Sequence, residues 1–89
     1  MTAIPFKENT VIVVFGASGD LARKKTFPAL FGLFREGYLS DTTRIIGYAR
    51  TKMTVEEFHS RIKEHFDIRD GSQDLVGRFL DMCTYESAQ

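Results

Sequence analysis

The chain has 89 residues, 43% of them apolar, with twelve basic and twelve acidic side chains and a formal net charge of zero. That describes one globular unit, small for a domain, with no bulk field to gather nucleic acid or an anionic membrane. Its single cysteine, Cys83, excludes an internal disulfide and a cysteine-based metal site and suits a reducing, cytoplasmic setting.

Residues 1–9, ending in Lys7-Glu8-Asn9, read as a loose leader with no basic region feeding a long apolar stretch. The β-branched run at 10–15 predicts a first strand and is far too short to span a bilayer. At its end stands Gly16-Ala17-Ser18-Gly19-Asp20-Leu21-Ala22, a glycine-punctuated turn that opens a helix near Gly19. Small residues there let the backbone approach a ligand, and free N–H groups at the helix start meet negative charge. The spacing, Gly16-x-x-Gly19-x-x-Ala22, is a relative of the dinucleotide fingerprint, and its strand–turn–helix setting is the one that fingerprint requires. A phosphate-loop NTPase is excluded, because positions 21–23 read Leu-Ala-Arg where a second glycine followed by Lys-Ser/Thr is needed.

Pro28 predicts a kink or restart near Thr26 to Pro28, with the proline early in the second helical piece. Phe27, Leu30, Phe31 and Phe34 then share one helical face, read as core packing rather than as a ring-binding pocket. Gly37 is placed to cap that helix in the left-handed conformation. Residues 43–48 predict a second strand. Thr54-Val55-Glu56-Glu57 forms a capping box that starts a helix at 55, with Val55, Phe58, Ile62 and Phe66 as its apolar face. His59 and His65 lie six apart with no cysteine or acid cluster, so they read as solvated or core-edge side chains, and no metal site is expected. Asp70-Gly71-Ser72 is a loop. Leu75, Val76, Phe79 and Leu80 predict a third helix, and Cys83 to Tyr85 begins a third strand. Cys83 itself reads as a small apolar filler.

The resulting β-α-β-α-α-β order predicts an α/β fold with right-handed crossovers. It is the Rossmann-like βαβ start of a doubly wound parallel sheet, incomplete at about three strands and three helices. Such a sheet needs cover on both faces, and three short helices supply one layer and a part. The expected organisation is a leader at 1–9 and a partial dinucleotide-binding domain at 10–89, the front end of a larger protein.

The end of the second strand selects the cofactor. NAD binders usually carry an acid there for the ribose 2′-hydroxyl, but this chain reads Tyr48-Ala49-Arg50-Thr51-Lys52. Arg50 offers a planar donor fork to a 2′-phosphate, Thr51 adds a hydroxyl, and Lys52 is a weaker second cation. A charge-assisted hydrogen bond contributes roughly 1.5–3 kcal/mol, enough to prefer NADP over NAD. Lys24 is expected to pair with Asp20 one helical turn back, and Lys25 to be solvated.

The stretch Gly16-Ala17-Ser18-Gly19-Asp20-Leu21-Ala22-Arg23-Lys24-Lys25-Thr26-Phe27-Pro28-Ala29-Leu30-Phe31, followed by Ile46-Gly47-Tyr48-Ala49-Arg50, resembles the N-terminus of the glucose-6-phosphate dehydrogenase family, most of all its fungal members. The likeness is close over about 10–52 and looser over 53–81. Cys83 to Gln89 looks like the family's third strand, with Ala88 where glycine is usual. The resemblance implies oxidation of glucose 6-phosphate to 6-phosphogluconolactone with NADP as hydride acceptor, the entry step of the pentose phosphate pathway. It implies that Gly16 to Arg23 line the pyrophosphate turn and that Arg50 and Thr51 hold the 2′-phosphate. Arg23 stands where lysine is common. The family's histidine base, its aspartate partner and its sugar-phosphate lysines belong beyond position 89, so no catalytic residue is assigned in this chain. Homo-oligomers are expected of the full-length protein only. Two other readings stay open: another NADP oxidoreductase, although the Tyr-x-x-x-Lys pair of the short-chain class is absent, and a non-catalytic dinucleotide-binding module.

Overall fold

The β-branched and aromatic runs become three parallel strands: β1 (Val11–Phe15), β2 (Arg44–Ala49) and β3 (Cys83–Ser87). They form one sheet in the order β1-β2-β3, with Val13 opposite Ile46 and Ile46 opposite Thr84. Between them run α1 (Phe27–Arg35), α2 (Val55–Ile62) and α3 (Gln73–Met82). This architecture comes from a computed structural model that describes residues 10–68 and 71–87. The leader, Asp70 and Ala88 lie outside the described residues.

Side chains alternate along each strand. Val14, Ile45, Ala49 and Cys83 are buried, whereas Val11, Val13, Phe15, Tyr48 and Glu86 are exposed. The three helices therefore gather on one face. The expectation of a layer and a part is corrected to a single layer, because every helix draws its buried aromatics into the same cluster. In that cluster Phe31 stacks on Phe66 at 4.6 Å and meets Phe79 edge-on at 5.6 Å, while Phe58 meets Phe27 edge-on at 5.3 Å.

The restart at Pro28 takes a definite form. Helix begins at Asp20, widens into a π-helical turn over Ala22–Thr26, and continues as α1 with Pro28 in its first two positions. The Phe27 N–H donates to the Ala22 carbonyl five residues back. The wider turn absorbs the donor that proline lacks and eases its ring past the preceding turn. At the other end Gly37, with φ of 87°, closes α1. Its N–H donates to Phe34 O at 3.1 Å and the Tyr38 N–H donates to Leu33 O at 2.8 Å, a Schellman pair.

The capping box of α2 is complete. The Glu57 N–H donates to Thr54 Oγ1 at 3.1 Å and the Thr54 N–H donates to Glu57 Oε1 at 2.9 Å. The Thr54 backbone N–H first, then the Thr54 side chain, hold the Glu57 carboxyl below its ordinary 4.5, with Arg61 adding a little. A carboxyl depressed in the folded state contributes stability above about pH 4.5 and loses it as pH falls through the folded value. Thr54→Ala removes the Oγ1 that accepts from the Glu57 N–H and should cost about 1 kcal/mol at neutral pH. Most of the gap in melting temperature between the two proteins should persist toward pH 3, because the capping bond lost is to the neutral Glu57 N–H and the Thr54 backbone N–H still holds the carboxyl; equal melting temperatures at neutral pH would contradict the capping account.

Two details of the predicted α2 face change. Val55 is 39% exposed, because it heads the helix outside the core cluster. Helix α2 stops at Ile62, a 3₁₀ turn covers Lys63–His65, and Phe66 is buried from an extended backbone rather than from the helix. Buried Cys83 has its thiol pushed up to about 12 by desolvation, which fits a filler and leaves no thiolate at neutral pH. His59 sits at the core edge, its Nε2 at 2.8 Å from Cys83 O, while His65 is exposed.

Candidate functional site

At the C-terminal end of β1 the chain turns over the end of β2. Gly16, at φ of 68°, and Ala17 both donate their N–H to Tyr48 O, at 2.9 and 3.3 Å. The Gly19 N–H returns to Gly16 O at 3.0 Å, and the Arg23 N–H to Gly19 O at 3.1 Å. Among the described residues no main-chain carbonyl takes the N–H of Ser18, Asp20 or Leu21. These are the unsatisfied donors of a helix start, at its positive end. Ala17 and Ala22 are buried and seat the turn on the core, whereas the Leu21 side chain is 73% exposed and offers only its backbone.

The second segment arrives from β2. Arg50 follows its last residue and is exposed, and among the described residues its guanidinium has no partner; Lys52 is likewise exposed. Thr51 lies against the glycine turn, with the Ser18 hydroxyl at 3.3 Å from Thr51 Oγ1. Gly16 to Ala22 and Arg50 to Thr51, separated by about thirty residues in sequence, thus share the carboxyl end of the sheet, after β1 and β2. Ends of parallel strands at such a turn are where open α/β sheets take ligands.

Arg23 behaves differently from its neighbours. Its guanidinium pairs with Asp20 at 2.9 Å and with Glu64 at 3.5 Å, and its Nε is buried with no partner among the described residues. The expected Lys24–Asp20 pair is corrected accordingly. The longer fork of Arg23 spans both carboxylates and fills Asp20, leaving Lys24 and Lys25 exposed.

Three further residues that build the site gave no local signal in the sequence. Arg61 of α2 donates to Ser18 O at 3.2 Å, and the Tyr85 hydroxyl of β3 donates to Thr51 O. Glu64 holds the far side of Arg23. Gly47 did carry a signal, since a glycine inside a strand marks a close approach. A Cβ there would stand 2.8 Å from Phe58 Cζ and 2.9 Å from the Ala17 Cβ. Gly47→Ala should destabilise the chain by about 1–3 kcal/mol, read as a lower urea midpoint; an unchanged midpoint would show that the turn and α2 can move apart freely. A polar hollow of about 350 Å³ lined by Asp41, Arg44, Arg78 and Asp81 lies at the opposite end of β2 and does not reach the glycine turn.

A family model described as glucose-6-phosphate dehydrogenase, NAD binding domain, matches residues 13–89. The chain belongs to the glucose-6-phosphate dehydrogenase family. It is 54% identical over 87 residues to the glucose-6-phosphate 1-dehydrogenase of Kluyveromyces lactis, covering 96% of this chain and 18% of that protein. With the Saccharomyces cerevisiae protein of the same name it shares 56% identity over 87 residues, covering 94% of this chain and 17% of that one. A solved glucose-6-phosphate dehydrogenase in complex with its substrate glucose-6-phosphate superimposes with a TM-score of 0.88 at 52% identity, over 99% of this chain and 19% of that chain. The chain thus spans less than a fifth of the length of these glucose-6-phosphate dehydrogenases. The fold is the expected one, a Rossmann-like start of three parallel strands and three helices. The match takes in 53–81, where the resemblance in the sequence is looser.

Proposed function

We propose that this chain is the coenzyme-binding N-terminal part of a glucose-6-phosphate dehydrogenase, with residues 10–89 forming part of an NADP-binding domain. The observation that carries the reading is the meeting of two segments through Ser18 and Thr51, which brings exposed Arg50, the residue before Thr51, to the same end of the sheet as a helix start whose Ser18, Asp20 and Leu21 N–H groups no main-chain carbonyl takes among the described residues. The N–H groups of Ser18, Asp20 and Leu21 suit a diphosphate, with Gly16, Ala17, Gly19 and Ala22 shaping the turn. Arg50 and the Thr51 hydroxyl suit a 2′-phosphate. Arg23 orders the turn through Asp20 and Glu64 and puts positive charge nearby.

Bound NADP would supply the hydride acceptor for oxidation of glucose 6-phosphate to 6-phosphogluconolactone in the pentose phosphate pathway. The residues of this chain orient the adenosine half of that cofactor. The family resemblance assigns the base that takes the sugar hydroxyl proton to a segment beyond position 89. Among the described residues no helix is long and apolar enough to cross a membrane. A cytoplasmic protein that forms homo-oligomers at full length completes the reading.

Calorimetry of the chain with NADP and with NAD tests it: NADP should bind more tightly by at least about tenfold, and binding of neither would favour a non-catalytic scaffold. Glucose 6-phosphate added to the NADP complex should give no NADPH absorbance at 340 nm. Substrate-dependent reduction would place the catalytic groups within these 89 residues.

A further inference from the structure

We propose that Tyr85 is a positioning residue for recognition of the 2′-phosphate, acting through Thr51 rather than touching the ligand. The inference rests on the NADP reading and extends it to a residue on the third strand. Tyr85 sits on β3, one strand beyond the loop it serves. Its ring packs against Phe58, centroids 5.0 Å apart, and its hydroxyl donates to the Thr51 carbonyl. Thr51 is thereby held on two sides, because its Oγ1 also takes the Ser18 hydroxyl at 3.3 Å. Ser18 is held in turn by Arg61, which donates to its carbonyl at 3.2 Å.

The chemistry of that chain of bonds has a direction. Thr51 Oγ1 accepts from Ser18, so its own hydroxyl proton remains available to donate. The Thr51 carbonyl is occupied by Tyr85, so the loop cannot turn an acceptor toward an incoming phosphate without breaking that bond. The result is a loop that presents a hydroxyl proton and the adjoining Arg50 fork to an anion. A loop released from Tyr85 would have to be ordered on binding, and that ordering would weaken association. Only the part of the ligand that meets Arg50 and Thr51 should register the loss, which is the 2′-phosphate that separates NADP from NAD.

Tyr85→Phe keeps the ring against Phe58 and removes only the hydroxyl. It should weaken NADP about two- to tenfold, the range for one hydrogen bond, leave NAD unchanged, and leave the melting temperature within a few degrees. Equal losses for both nucleotides, or no loss for either, would overturn the proposal while leaving NADP binding by the parent chain intact. A parent chain without preference for NADP would instead overturn the underlying reading, and this one with it. A measurement on the unsubstituted chain covers the case in which the variant does not fold. In the NADP complex the Tyr85 hydroxyl proton should be protected from exchange by NMR, and a freely exchanging hydroxyl would contradict its bond to Thr51.

Discussion

Replacing Phe58 by alanine should cost about 3–5 kcal/mol and bring the chain close to unfolding at 25 °C. Phe58 is 1% exposed, meets Phe27 edge-on and Tyr85 at a tilt, and fills the space that Gly47 leaves open on β2. It is therefore the plug on which α2, the glycine turn and the third strand all rest. Domains of this size hold a total stability of roughly 4–13 kcal/mol, so one such cavity consumes much of it. Urea denaturation followed by far-ultraviolet circular dichroism reads the effect. A loss below about 1 kcal/mol would mean that neighbouring aromatics collapse into the space and that Phe58 does not key the site.

Arg50→Ala should weaken NADP by about ten- to 150-fold, the range for a charge-assisted hydrogen bond, while NAD changes only a few-fold. The guanidinium is exposed and has no partner among the described residues, so its removal orphans nothing in the protein and stability should hold. Because the contact is exposed, the advantage of NADP should shrink as salt rises. Isothermal calorimetry of both nucleotides separates the cases. Equal weakening of the two would show that Arg50 supports the loop in general and does not read the 2′-phosphate.

What was legible in the sequence was local. The Thr54–Glu57 capping box, the Gly37 cap and the restart at Pro28 are each written within a few neighbouring residues, and each stands where those residues put it. The strands followed from β-branched runs, with shifts of one or two residues at their ends. The glycine turn and the arginine after β2 were picked out because a strand end and a helix start impose their own spacing, and the structure brings both segments to one end of the sheet. What was not legible came from pairings across the fold. Arg61 to Ser18 and Tyr85 to Thr51 join positions more than thirty residues apart, and no local pattern announces them. Arg23 rather than Lys24 pairs with Asp20 and also meets Glu64, which reaches the helix from the 3₁₀ turn after α2. Val55 fits the helical period yet stays outside the core, because periodicity gives a direction and not a depth.

A crystal structure of this chain with NADP bound shows whether the two segments at the carboxyl ends of β1 and β2 read two phosphate groups. The diphosphate should accept hydrogen bonds from the N–H groups of Ser18, Asp20 and Leu21, with the 2′-phosphate against the Arg50 guanidinium and the Thr51 hydroxyl. A diphosphate seated away from the glycine turn, or a 2′-phosphate that Arg50 does not touch, would contradict that account.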